Sequence, residues 1–188
     1  ELDDGLSEFI NAGSKPVYIG FGSMTAQEPE ETTRLVIEAA QLANQRIVLS
    51  SGMANLGSDK AVDQNCYVVG KCSHPALFPK MAAIVHHGGS GTTATAARAG
   101  IPQIIIPHMT DQYYFAENVP KAGLAPESIW RQKLTSKNLA AAIEIAISDE
   151  EMQRRCTTLA EKLAEHDSYA LAEKYIRDAF LINNRTNH

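Results

Sequence analysis

The densest chemistry in this 188-residue chain lies in one short run, His86-His87-Gly88-Gly89-Ser90-Gly91-Thr92-Thr93. It follows the apolar run Ala83-Ile84-Val85 and opens a helical pattern that reaches Ala99. A helix N-terminus presents N–H groups without intrahelical partners and about half a positive charge, so it attracts an anion such as phosphate. Gly88, Gly89 and Gly91 lack a Cβ and let backbone come close to a bulky anion. Ser90, Thr92 and Thr93 add hydroxyl donors, and His87 can donate an N–H. The plain alternative is a tight strand-to-helix turn with two incidental histidines. Three glycines, three hydroxyls and a histidine in one turn favour the anion site. It is not a Walker A loop, because Gly-Lys-Ser/Thr is missing, and the dinucleotide fingerprint GxGxxG is missing as well.

A second segment, Pro107-His108-Met109-Thr110-Asp111-Gln112, follows another apolar run. A carboxylate can accept two hydrogen bonds from a vicinal diol, and an amide both donates and accepts, which suits a sugar. Asp111 as the N-cap of the next helix is the competing reading. A third segment, Gly20-Phe21-Gly22-Ser23-Met24, ends the first apolar run. Small residues there admit a ligand and Ser23 could reach a phosphate; an ordinary turn explains it equally well. His74, His108 and His166 read as surface or loop residues, and Trp130 as packed or partly exposed.

The elements that must position these groups alternate. Strands are expected at 17–21, 46–50, 66–70, 83–86 and 103–106, and helices from Pro29, over 89–99 and over 111–121. Further helices begin at Thr135 or Ser136, carry the stripe Met152, Cys156, Leu159 and Leu163, and end with Tyr169, Ala172, Ile176 and Phe180. Several strands are apolar throughout, the mark of a parallel sheet covered on both faces. The fold class is therefore α/β, a Rossmann-like doubly wound parallel sheet. In such sheets ligands lie outside the carboxyl ends of the strands, where all three segments fall.

Composition narrows the classes. Hydrophobic residues are 44% and charged residues 21%, as in an ordinary globular domain. No apolar run approaches the ~20 residues of a membrane span. Seventeen basic against 22 acidic residues give a net charge of −5, which argues against a nucleic-acid surface. Three cysteines without a CxxC pair or zinc-ligand spacing read as reduced thiols in a cytoplasmic protein, with no metal site. The opening Leu2-Asp3-Asp4-Gly5 has no signal-peptide pattern and reads as interdomain linker. The expected division is a linker and first helix over 1–15, a ligand-binding domain over 16–182 and a tail over 183–188.

Together the segments resemble a known family. Val85 to Thr93, then Arg98-Ala99-Gly100-Ile101-Pro102-Gln103, Pro107 and Asp111-Gln112, are similar to the donor-binding signature of family 1 UDP-sugar-dependent glycosyltransferases. Pro16 to Met24, Leu124-Ala125-Pro126 and Lys133-Leu134-Thr135 fit the bacterial and fungal branch that glycosylates glycopeptides, macrolides and sterols. The resemblance spans about residues 6 to 180. It implies the C-terminal, nucleotide-sugar half of a GT-B fold, whose other half binds the acceptor.

By that resemblance His87 and the Gly89-Ser90-Gly91-Thr92 turn hold the diphosphate with help from Ser23. Asp111 and Gln112 hold sugar hydroxyls, and the uracil lies near Cys72 and Ser73. The plant branch's uracil-stacking tryptophan is replaced near Cys72 and its ribose-binding glutamate falls at Thr95, which leaves a dTDP-sugar open beside a UDP-sugar. The implied activity is inverting transfer of a hexose, glucose favoured, from a UDP-sugar to a hydroxyl of a lipophilic acceptor such as a sterol. The sugar nucleotide is substrate, and no cofactor or metal is implied. The catalytic base belongs to the missing N-terminal domain, so no catalytic residue is expected here and the chain alone should be silent. Its partners would be that domain and UDP-glucose, with self-association through the last helix possible. Location is expected to be cytoplasmic, peripheral to membranes through the missing part. The alternatives are a stand-alone donor-binding subunit served by a separate chain, and a GT-B-shaped nucleotide-sugar epimerase, for which no convincing set of acidic and basic catalytic residues is found.

Overall fold

The structure is a computed structural model describing residues 2–21, 29–51, 60–62, 64–165 and 172–178. Ser23, His166, Tyr169 and Phe180 lie outside the described residues.

Five strands run parallel: β1 (Val17–Gly20), β2 (Ile47–Ser50), β4 (Cys66–Val69), β5 (Ala83–His86) and β6 (Gln103–Ile105). A short β3 (Lys60–Ala61) adds antiparallel to β4, so the six-stranded order is β3-β4-β2-β1-β5-β6. The antiparallel edge is the one departure from the wholly parallel sheet expected. Strand side chains alternate between two cores. Val17, Ile19 and Phe21 pack with α2 (Pro29–Leu42) and α6 (Ser136–Ser148) on one face. Tyr18, Val48, Tyr67, Val69 and Ile84 pack on the other with α1 (Asp4–Asn11), α3 (His74–Leu77) and α4 (Ser90–Ala99). Helices on both faces bury the five parallel strands, which is why their sequences read largely apolar.

The remaining helices extend this frame. α5 (Asp111–Lys121) covers Ile105 with Ala116 and Val119. α6 starts at a capping box between Thr135 and Asn138. α7 (Glu150–Ala164) packs on α4, at a point where a side chain on Gly100 would meet the Ala160 Cβ at 3.2 Å.

Helix α1 is the first helix expected within residues 1–15, and it begins at Asp4, inside the opening that reads as linker. Asp3 accepts the Leu6 N–H at 2.9 Å as N-cap, and the Tyr67 hydroxyl donates to the same carboxylate at 2.9 Å. Leu6, Phe9 and Ile10 are buried. Each contributes ~1.5–3 kcal/mol of burial, so α1 is part of this domain's core and not a tether. At the other end, residues 172–178 are helical and exposed, including Tyr175 and Ile176. Among the described residues, no helix is long and apolar enough to cross a membrane.

The chain leaves β1 through α2 toward β2, and returns from β4 to β5 on the opposite side of β1. Connections from the adjacent strands β1 and β5 therefore run in opposite directions. That reversal opens a crevice at their carboxyl ends, where ligands of this fold class bind.

Candidate functional site

The strand β5 delivers two histidines with different fates. His86 is fully buried. Its Nδ1 accepts the Gly88 N–H at 3.0 Å, which leaves Nε2 to donate to Gln103 Oε1 at 2.9 Å. Burial pushes its pKa down to about 3, outweighing the Gln103 hydrogen bond that favours the charged ring. His86 is thus a neutral strut that shapes the turn. Gly88 has φ 87°, and a Cβ there would lie 2.8 Å from Ile105 Cγ2, so glycine is required.

The turn delivers Gly89 as N-cap of α4, with no side chain capping the helix. The N–H groups of Ser90, Gly91 and Thr92 therefore have no intrahelical acceptor and carry the positive end of the helix dipole. A Cβ built on Gly91 meets nothing within 4 Å, so the approach to these donors is open. Thr93 and Thr95 turn their hydroxyls back to the carbonyls of Gly89 and Gly91, at 3.0 and 2.8 Å. Ser90 is exposed and Thr92 half-buried at the mouth.

His87 is half-buried, and its ring lies over Gly89. Its Nδ1 is buried without a hydrogen-bond partner. Burial lowers its pKa, while the Asp111 carboxylate pulls it the other way. The start of α5 borders the same turn, since a Cβ on Gly88 would lie 3.2 Å from the Gln112 carbonyl oxygen.

At the β6 end, Thr110 is the N-cap of α5, with φ 41° and ψ −117°. Asp111 is the first helical residue, exposed, and accepts the Thr110 hydroxyl at 3.0 Å. The capping alternative for Asp111 is thereby corrected. Gln112 is buried, and its Oε1 accepts the N–H groups of His108 at 2.8 Å and Met109 at 3.1 Å, holding the loop shut.

His108 lies in the loop between β6 and α5, within the surface-or-loop reading, yet it is not solitary. Its ring stands 5.4 Å from that of Phe21 at the end of β1, and its Nδ1 accepts from Arg131 at 3.1 Å. Burial, then the Arg131 and His87 charges, push its pKa down to about 4. Arg131 reaches it because the Ile129 N–H bonds Ile105 O at 3.0 Å, which holds the chain just before Arg131 against the end of β6. Arg131 has no carboxylate partner among the described residues. A lone basic residue between two elements carries no periodic signal, so nothing in the residue pattern points to it.

Cys72 and Ser73 lie beyond β4, which is three strand spacings, ~14 Å, from β5. Cys72 is half-buried and Ser73 exposed at the start of α3. Next to them, His74 departs from the surface-or-loop reading: it is half-buried as the first residue of α3 and bonds the Tyr18 hydroxyl on β1 at 3.1 Å. Among the described residues, no three His, Cys, Asp or Glu side chains gather as metal ligands.

Residues 34–174 match the family model described as erythromycin biosynthesis protein CIII-like, C-terminal domain. The chain is 37% identical over 169 residues to a sterol 3-beta-glucosyltransferase of Arabidopsis thaliana, covering 90% of this chain and 26% of that protein. It is 38% identical over 179 residues to the vancomycin aglycone glucosyltransferase of Amycolatopsis orientalis, covering 95% and 42%. It thus spans between about a quarter and two-fifths of the length of these relatives. Among solved structures, the kitacinnamycin glycotransferase superposes with a TM-score of 0.75 at 24% identity, over 95% of this chain and 44% of that one. The glycosyltransferase VinC in complex with dTDP superposes with a TM-score of 0.68 at 26% identity, over 86% and 40%. With this crevice on this sheet, the chain belongs to the erythromycin biosynthesis protein CIII-like C-terminal domain family, the nucleotide-sugar half of the family 1 UDP-glycosyltransferases.

Proposed function

We propose that this domain holds a nucleoside diphosphate-hexose, with UDP-glucose favoured, for inverting transfer to a hydroxyl of a lipophilic acceptor such as a sterol. The observation that carries the reading is the uncapped start of α4, open at Gly91 and flanked by His87, at the reversal point of the sheet. The diphosphate lies on the N–H groups of Ser90, Gly91 and Thr92, with the His87 ring beside it, and Ser23 is its further partner by resemblance to the family. Asp111, within electrostatic reach of His87, takes sugar hydroxyls. Gln112 serves the sugar mainly by fixing the loop that carries Asp111. Cys72 and Ser73 receive the base, at a separation that suits an extended nucleotide.

Transfer breaks the bond between the anomeric carbon and the diphosphate oxygen, and negative charge grows on the diphosphate. Pre-oriented N–H donors at a helix start stabilise that charge without reorganising. The acceptor hydroxyl attacks from the opposite face and loses its proton to a base supplied by the N-terminal domain. The identity of relatives as sterol and glycopeptide glucosyltransferases supports the acceptor class. By this reading the donor half binds but does not turn over, and the exposed Tyr175 and Ile176 face the acceptor domain or a second copy.

Titration calorimetry of the chain with UDP, UDP-glucose and dTDP-glucose tests the reading. Binding is expected, with His87→Ala weakening it ~10- to 150-fold, the worth of a hydrogen bond to a charged group. Absence of binding to all three, or a larger loss at His86→Ala without loss of fold, would overturn it.

A further inference from the structure

We infer that Tyr18 is a positioning residue for the base end of the donor site, acting through His74 on the Cys72-Ser73 loop. This rests on the donor reading above and adds to it a pair of residues distant in sequence from every motif of the site.

Tyr18 lies on β1, facing the core of α1, α3 and α4, and is 4% exposed. A phenylalanine would fill that core without bringing a hydroxyl out of water. The hydroxyl instead lies at the site end of the strand. A side chain on Gly20 would overlap it, with Tyr18 Cζ only 2.8 Å from the added Cβ. Gly20 is therefore spared a side chain so that Tyr18 can lie along the strand and reach its carboxyl end. There the hydroxyl meets His74 Nε2 at 3.1 Å and is also bonded by Ser50, from the end of β2. One hydroxyl thus ties together the ends of β1 and β2 and the first residue of α3.

His74 cannot swing away from this contact. Its ring stacks on Phe78 at 4.6 Å and 16°, and meets the Tyr18 ring edge-on at 5.4 Å. Phe78 is fully buried and packs on Tyr18 at 5.2 Å. Backbone bonds from Ala76 and Leu77 to the Ser73 carbonyl extend the lock to the loop itself. Burial holds the Tyr18 hydroxyl un-ionised, with a pKa pushed up to about 12, and lowers that of His74, so the contact joins two neutral groups near pH 7. The loop that receives the base is in this way fixed against β1, the strand paired with β5, whose end leads into the glycine turn that meets the diphosphate. Base and diphosphate contacts are thereby held at one spacing.

The test compares wild type, Tyr18→Phe, His74→Leu and His74→Gln by calorimetry with UDP, CDP and inorganic pyrophosphate, and by thermal melting. Tyr18→Phe and His74→Leu are expected to lose UDP affinity roughly 3- to 10-fold, as befits one neutral hydrogen bond, and part of the preference for UDP over CDP. Pyrophosphate affinity should not change. His74→Gln, which keeps a polar group near Nε2, should bind UDP within about twofold of wild type. If Tyr18→Phe does not fold, the Leu and Gln variants of His74 carry the comparison. Unchanged UDP affinity in Tyr18→Phe and His74→Leu overturns the inference and leaves the donor reading standing. Equal losses for UDP and pyrophosphate overturn it too, because general loosening of the fold would explain them. A wild-type chain that binds neither UDP nor pyrophosphate overturns the donor reading and this inference with it.

Discussion

The ring of His87 occupies the space that a side chain at position 89 would need: a Cβ on Gly89 would lie 2.5 Å from His87 Nε2. The glycine and the histidine are one device, since the helix start stays bare only while the ring can lie across it. Two positions on, Gly91 has no such neighbour within 4 Å. The two glycines therefore answer to different partners, the first to the protein and the second to open space.

Gly89→Ala is expected to displace His87 and to weaken UDP binding about as much as His87→Ala. Gly91→Ala should do the reverse to the fold. Alanine in a helical position is favoured over glycine by roughly 0.5–1 kcal/mol, so the variant should melt higher. It should also bind UDP less well, because the added methyl stands on the approach to the N–H donors. Melting curves and calorimetry on the same samples check both. A Gly91→Ala protein that binds UDP like wild type would remove the diphosphate from the start of α4.

The histidines predict how stability depends on pH. His86, His108, His87 and His74 all have folded-state pKa values below the ordinary 6.5, with His86 at about 3 and His108 at about 4, and burial is the leading cause for each. The unfolded chain then binds protons that the folded chain does not, so stability rises with pH across this window. It is present in full well above pH 6.5 and is lost progressively as pH falls, toward about 4 for His108 and about 3 for His86. Urea denaturation at pH 7.5 and 5 should show a lower midpoint at pH 5. In His86→Gln the decline should be shallower by up to one proton's slope. A midpoint that does not move would contradict the buried neutral assignments.

Asp111 and Gln112, adjacent in sequence, should fail in different ways. Asp111 is exposed and does not cap α5, so Asp111→Asn is expected to melt like wild type, bind UDP normally and lose affinity for UDP-glucose. Gln112 accepts two backbone N–H groups, and Gln112→Ala strands both. That costs about 1–3 kcal/mol of stability and should weaken UDP and UDP-glucose together. Identical behaviour of the two variants would show that both act on the loop alone.

Much of this was legible in the residues themselves. Unbroken apolar runs such as Ile47-Val48-Leu49 demand a strand covered on both faces, and helix stripes such as Leu139, Ile143 and Ile147 mark the covering layer. The turn from His87 to Thr92 could be read as an anion site because glycine, hydroxyl and helix start act within one local stretch of backbone. Local patterns fix which face of an element is buried, since side-chain direction follows backbone period. They do not fix which strands become neighbours. Whether β5 lies beside β1 or β4 depends on how the two cores fill best, and that is settled across the whole chain. Contacts that cross between loops inherit this choice. His74 meets Tyr18 over 56 residues and His108 meets Arg131 over 23, so each reads in sequence as a solitary surface or loop histidine until the sheet order places its partner beside it.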